Sequence, residues 1–187
     1  MREEMQDTAK ELAEKIMVFA RDQVMLSMRF LNRALFRMPV TESDQISAWA
    51  VDGERVYYNM EYVLAAFKKE KNSCTRAYLH MILHCIFSHP FQYEKMERDC
   101  WDLATDLAVE HTIMGLHLPD TSVDADFANK KKMAKLQEKI PIFTAEKIYR
   151  YMLDHPQEAQ EWLEQAEDFE WDDHRKWIPV KEVDALD

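Results

Sequence analysis

The sequence predicts a mostly α fold with one small β hairpin or sheet, an α+β domain dominated by helices. Three observations carry that prediction. Only two glycines, Gly53 and Gly115, occur in 187 residues, too few for a glycine-rich phosphate loop, a many-turned β sandwich or a flexible linker. Apolar residues return at three- and four-residue intervals over most of the chain, which is the period of a helix buried on one side. One stretch, "ISAWAVDGERVYYN", instead sets β-favouring residues on both sides of Asp52-Gly53, a dipeptide that accepts the positive φ of a two-residue hairpin turn.

The elements follow in order. Thr8-x-x-Glu11 has the form of a capping box, and Leu12, Ile16, Phe19, Gln23, Leu26, Phe30 and Leu35 continue it as a long amphipathic helix, broken once and ending before Pro39. After the hairpin, residues 60–70 return to helical spacing. Ser73 is a cap for a helix of about 74–88 that Pro90 stops. Tyr78, Leu79, Ile82, Leu83, Ile86 and Phe87 leave that helix no wet face, which predicts a central, buried position. Another helix covers about 99–114, and Pro119-Asp120 with Thr121-Ser122 marks a loop over 118–128. Thr144 caps a helix that places Ile148, Tyr151 and Met152 on one side. From Pro156 the chain turns acidic, "PQEAQEWLEQAEDFEWDD", as in an exposed helix with few core contacts.

Composition excludes several classes of function. The formal charge of −11 opposes non-specific nucleic-acid binding, and the basic run Lys130-Lys131-Lys132 with Lys135 reads as a solvated helix face. No apolar run has the length of a bilayer span, and "MREEMQDTAKE" is charged where a signal peptide needs an apolar core, so the expectation is a cytoplasmic protein with no membrane partner. Cys74, Cys85 and Cys100 are odd in number and lack a Cys-x-x-Cys spacing, which argues against a disulfide framework or a cysteine zinc knuckle.

The chemistry concentrates in "LHMILHCIFSHP". His80 and His84 stand four residues apart on one helix and can aim ring nitrogens at one point, two-thirds of a protein-bound zinc site. In "WDLATDLAVEH", Asp102, Asp106 and Glu110 recur every four residues, with Asp106 and Glu110 beside Leu103, Leu107 and Met114. Carboxylates in an apolar stripe are costly unless a metal, a charged histidine or an arginine meets them. Asp106 is the candidate third ligand of a zinc ion, with Glu110 either its substitute or the group that fixes a ligand histidine's tautomer. His89, at the helix end, projects to a different side. The competing reading is a buried salt bridge, for example to Arg76 or Arg98. His174 in "DDHRKW" is a further possible ligand, although a surface loop anchored by Trp177 is the more ordinary reading of that segment.

The stretches "RFLNRALFRMPV", "DGERVYYNMEYVLAAFK", "RAYLHMILHCIFSHPF" and "WDLATDLAVEHTI" resemble the zincin-like metallopeptidase domain that precedes a von Willebrand factor A-like domain in bacterial proteins. The resemblance spans roughly 8–175. It implies that His80 and His84 are the histidine ligands of zinc, that Asp106 is the acidic ligand, and that the natural partners are a peptide or protein, a von Willebrand factor A-like domain and an AAA-type ATPase. It also implies a division into a metallopeptidase-type domain over 1–155 and an acidic helical extension over 156–187 leading toward that module. One departure is chemical: Met81 stands where a His-Glu-x-x-His enzyme carries the glutamate that moves protons between water and leaving amine. A thioether cannot do this. Either hydrolysis is lost and the domain is an interaction module, or another carboxylate serves as base, with Glu110 the leading candidate and Asp106 or Asp102 behind it, or no metal binds and the histidines and acids pair in the core.

Overall fold

In the computed structural model, residues 2–177 are described, so the last ten positions of the expected C-terminal extension lie outside the described residues. Helix α1 (Arg2–Ser27) is followed by a single 3₁₀ turn at Arg29–Leu31 and by α2 (Asn32–Arg37), the one break that the sequence predicts. Its buried face is rotated from the expected one. Ala13, Ile16, Met17, Ala20, Val24 and Met28 are buried, while Leu12, Phe19, Leu26 and Phe30 face outward. Both sets have helical spacing, and the small Ala13 and Ala20 mark the side where another helix approaches closely. Thr8 is no cap: it lies inside α1 and its hydroxyl donates to the Glu4 carbonyl.

Three short strands form one sheet in the order β1-β3-β2. β2 (Trp49–Val51) and β3 (Val56–Tyr58) are the predicted hairpin, antiparallel with Val51 opposite Val56. The connection is a four-residue loop and not the two-residue turn expected. Asp52 holds it, its Oδ1 accepting from the backbone N–H of Glu54 and Arg55 at 2.8 and 2.7 Å, and Gly53 supplies a φ of +93°. β1 (Val40–Glu42) pairs parallel to β3. At three residues it is too short to leave a periodic signal in the sequence.

α3 (Met60–Lys69) begins at Asn59, whose side chain accepts from the Tyr62 N–H. α4 (Asn72–Ile86) starts before the expected cap; Ser73 lies within it and donates to the Glu70 carbonyl. Every residue from Ser73 to His84 is buried, and α4 packs against α1, α3, the sheet and the 3₁₀ turn at Pro119–Thr121. α5 (Arg98–Leu116) is capped by Glu97, whose carboxylate accepts from the Cys100 N–H. α6 (Asp126–Gln137) begins inside the region expected as loop. α7 (Ala145–Asp154) follows Thr144 as predicted, although the Thr144 hydroxyl makes no capping bond, and α8 (Pro156–Leu163) is mostly exposed.

Apolar burial divides into two clusters. The first joins α1, α3, α4 and the sheet around Met17, Leu35, Trp49, Tyr78 and Met81. The second joins α5, α6, α7 and the end of the chain around Trp101, Leu107, Ile148, Phe169 and Trp177. The seam where α4 meets α5 lies between them. Among the described residues no helix is long and apolar enough to cross a membrane.

At Gly53 an added Cβ would both require a left-handed backbone and stand 3.0 Å from the Phe91 ring. Gly53→Ala is therefore expected to destabilise the chain by about 1–2 kcal/mol, seen as a lower urea midpoint with an unchanged slope.

Candidate metal centre

Three residues of α4, Arg76, His80 and His84, recur every four positions and form one polar ridge along an otherwise apolar helix. Three residues of α5, Asp102, Asp106 and Glu110, form the matching ridge. The two helices pack with these ridges face to face. At one end the Arg76 guanidinium donates to both Glu110 oxygens, Nε to Oε1 at 3.1 Å and Nη2 to Oε2 at 2.6 Å, and both side chains are 1% exposed. The salt-bridge reading is thus right for Glu110. Asp106 meets histidines and not an arginine, and Arg98 lies elsewhere, over the Tyr93 ring.

In the middle of the seam the predicted residues converge. His80 Nε2 lies 2.7 Å from His84 Nε2 and 3.1 Å from Asp106 Oδ1, and His84 Nε2 lies 3.2 Å from the same oxygen. A fourth donor comes from the far end of the chain: Asp172 Oδ1 is 3.6 Å from His80 Nε2 and 3.7 Å from His84 Nε2. His80, His84, Asp106 and Asp172 are all buried and can present one donor atom each within 4.8 Å of one another. Sequence reasoning missed Asp172. Its only signal was its place beside His174, inside a stretch whose acidity reads as solvent-facing.

Each imidazole is fixed from behind. His80 Nδ1 is 2.8 Å from Glu110 Oε1, so its N–H donates to the carboxylate and Nε2 faces the cluster. His84 Nδ1 is 2.9 Å from His89 Nδ1, so the two rings share one hydrogen bond there and His84 Nε2 faces inward. Ser88, at a φ of +64°, ends α4 and folds His89 back beneath His84, so His89 supports a donor and is not itself in the cluster. This arrangement, a ring nitrogen turned inward and its partner nitrogen tied to an acceptor, is how proteins orient histidines toward metal ions. Glu110 sits on the outer side of His80, with both oxygens already engaged. Met81, beside His80 in sequence, is fully buried in the first apolar cluster. Of the other histidines in the cluster of sequence, His111 meets Gln137 and His117 supplies the left-handed residue that ends α5.

The donor set passes a fit test. Ligands about 2.1 Å from a single divalent ion and about 90–120° apart stand roughly 3.0–3.6 Å from one another. The distances involving the two histidines, 2.7 to 3.7 Å, fall on or near that interval, and the whole set, within 4.8 Å, has only to draw in slightly around an ion. Moreover, both Asp172 oxygens are buried without a hydrogen-bond partner. An ionised, unpartnered carboxylate in a dry interior is strongly disfavoured unless a cation compensates it. Among the described residues the His80, His84 and His174 nitrogens stand 3.6–3.7 Å from Asp172 Oδ1, close enough to outweigh burial and hold its carboxyl below the usual range but not hydrogen-bonded to it.

Electrostatics show what an ion would displace. Burial works against the His80 imidazolium, but hydrogen bonds to Asp106 and Glu110 and their charges outweigh it and hold its pKa up to about 9. Burial, reinforced by the neighbouring His80 charge, pushes His84 down to about 4. His174, opposed by burial, is carried well above its ordinary value by Asp106, Asp172 and Asp102. For Asp106 the same histidines overcome burial and hold its carboxyl well below the usual range.

The chain belongs to the family described as "Putative metallopeptidase domain", whose model matches residues 14–176. No curated protein and no solved structure gives a significant match. Family membership implies a metal, and the cluster of two histidines and two aspartates is compatible with one.

Without an ion, His80 holds its inward proton at neutral pH, so metal binding must expel it. Affinity should rise with pH until His80 titrates at about 9, and binding at pH 7 should release about one proton per ion. Calorimetric titration in buffers of different ionisation enthalpy measures this directly; a binding heat independent of buffer contradicts the assignment.

Proposed function

We propose that this chain is a zinc-binding domain built on the metallopeptidase pattern, with His80, His84 and Asp106 as ligands and Asp172 as the fourth, and that its metal organises a recognition module. The observation that carries the proposal is the convergence of four buried donors whose histidines are oriented from behind. Zinc suits two imidazoles with carboxylate oxygens in a tetrahedral shell. When bound, such an ion supplies Lewis-acid polarisation of a water or carbonyl oxygen.

Two features favour recognition over hydrolysis. Catalytic zinc sites keep a position open for water, whereas structural sites are closed by protein ligands, and Asp172 takes the place that an open site would leave. The proton-transfer group is also missing. Met81 lies within the first apolar cluster, and Glu110 is tied to Arg76 and His80, which suits a positioning residue and not a base. In this reading the domain works with a protein partner, and the von Willebrand factor A-like domain and ATPase implied by the sequence resemblance are the first partners to test.

A peptidase reading keeps one specific support. A cleft of about 510 Å³, lined by Tyr93, Asp102, Asp106, Asp172 and His174 among others, reaches the cluster from the surface. A peptide carbonyl could reach the donors by that route if Asp172 gave way.

Metal analysis of the purified chain should find one zinc per chain, lost in His80→Ala and His84→Ala; full metal content in either variant overturns the ligand assignment. Glu110→Gln should weaken zinc binding about 10–100-fold, as loss of a group that orients a ligand does. In casein or peptide-library digestion, the recognition reading expects no turnover by zinc-loaded protein. Chelator-sensitive turnover would establish the peptidase instead, and in zinc-reloaded Glu110→Gln a loss of turnover together with loss of the acidic limb of its pH profile would make Glu110 the base.

A further inference from the structure

The segment Trp171–Trp177 brings a second group to the seam besides Asp172. His174 is 7% exposed and its Nε2 is 3.3 Å from Asp106 Oδ1 and 3.6 Å from Asp172 Oδ1, yet it has no hydrogen-bond partner. Its other nitrogen, Nδ1, is 3.0 Å from Asp102 Oδ1 and donates to it. His174 therefore repeats the arrangement of His80 and Glu110: one nitrogen tied to a carboxylate of α5, the other directed inward at the same aspartate oxygen. Asp102 is the last member of the α5 ridge, so all three of its acids are engaged, Glu110 and Asp102 behind histidines and Asp106 between them.

The segment is held in place by few other contacts. The Asp173 N–H donates to the Trp49 carbonyl at 2.8 Å, which lays the chain along the edge of β2. Trp177 stacks on the His174 ring at 3.7 Å and 17° and packs edge-on against Tyr93. Trp171 lies near Trp49, with Arg76 over its ring. Arg175 is exposed and pairs with Asp173.

Building on the zinc-binding reading above, we infer that His174 is a further ligand of the same ion, so that the metal clasps the segment Trp171–Trp177 onto the α4–α5 seam. The inference rests on a buried nitrogen that neither accepts nor donates a hydrogen bond among the described residues and lies 3.3 and 3.6 Å from the two cluster aspartates, the spacing of neighbouring ligands on one ion at about 2.1 Å. It stands at the rim of the four donors that already lie within 4.8 Å of one another, on their aspartate side. The consequence is a linkage. Whatever occupies the site stabilises the docked segment, and whatever undocks the segment weakens metal binding. Three histidines and two aspartates then surround the ion, a set that also accepts iron or manganese.

The test uses the full chain and three readouts that do not depend on activity. The first is metal affinity by competition with a chromophoric chelator. Wild type should bind zinc; His174→Ala should bind it at least roughly a hundredfold more weakly, and Asp102→Asn, which keeps the shape and removes the charge, about 10–100-fold more weakly. The second is the visible spectrum of the cobalt(II)-loaded chain, whose bands should shift in His174→Ala because an imidazole nitrogen has left the shell. The third is trypsin cleavage after Arg175 and Lys176, expected to be slow in metal-loaded wild type, fast after chelation, and fast in His174→Ala with or without metal. If wild type binds no zinc or cobalt, the underlying metal reading fails and this inference with it. If wild type binds metal while folded His174→Ala keeps the same affinity and spectrum, the metal reading stands and His174 is not a ligand. Asp102→Asn carries the same decision should His174→Ala fail to fold.

Discussion

Two polar ridges of four-residue period, Arg76-His80-His84 on α4 and Asp102-Asp106-Glu110 on α5, face each other between two apolar clusters, and the rest of the structure is arranged around that seam. Each ridge alone would be untenable in a buried helix. Charged groups removed from water lose several kcal/mol of solvation apiece, and only close opposite charges with satisfied hydrogen bonds recover it. The helices therefore specify one another. Sliding one turn would set Arg76 against Asp106 and leave Glu110 without a cation, so the polar contacts fix the register that generic apolar packing leaves open.

The seam changes character along its length. At the Arg76 end it is a buried, bidentate ion pair, with Arg76 also donating to the Thr121 carbonyl and paired with Asp126, and Glu110 also bonded to His80. Toward His84 and Asp102 it becomes incomplete: the histidine nitrogens crowd together, Asp172 adds a negative charge, and its oxygens and His174 Nε2 lack partners. Protons can satisfy part of that arrangement, which is why His80 and His174 hold theirs so firmly. A divalent cation can satisfy all of it. The same geometry explains why Met81 is tolerable. Its position faces the first apolar cluster, where a glutamate with no cation nearby would be penalised and a thioether packs well.

Closing the seam falls to the end of the chain. Residues 171–177 lie along the edge of β2 and against Trp49, so the small sheet serves chiefly as a rail for the segment that brings Asp172 and His174 to the helices. The four-residue Asp52 loop keeps that rail in register, and the cleft beside Tyr93 and Asp102 is an approach to the donors from solvent.

The sequence by itself determined the helical architecture, the hairpin, the burial of α4, the presence of His80 and His84 on one face and the opposition of Asp106 and Glu110. All of these are consequences of local periodicity, in which a residue's chemistry and its distance along one helix suffice. It did not reveal which of two equally spaced faces of α1 is buried, because that depends on the partner helix and not on spacing. Nor did it reveal β1, three residues whose only ladder runs to a strand farther along the chain. The role of His89 turned on a single left-handed residue, Ser88. Above all, Asp172 was hidden by its acidic neighbours and His174 stood out only as a candidate beside a more ordinary loop reading, since composition reports average exposure while ligation depends on where one side chain points after the chain has returned across the fold. That placement arises only from tertiary packing, as β2 and the Trp177 anchor carry the segment to helices from which it is distant in sequence.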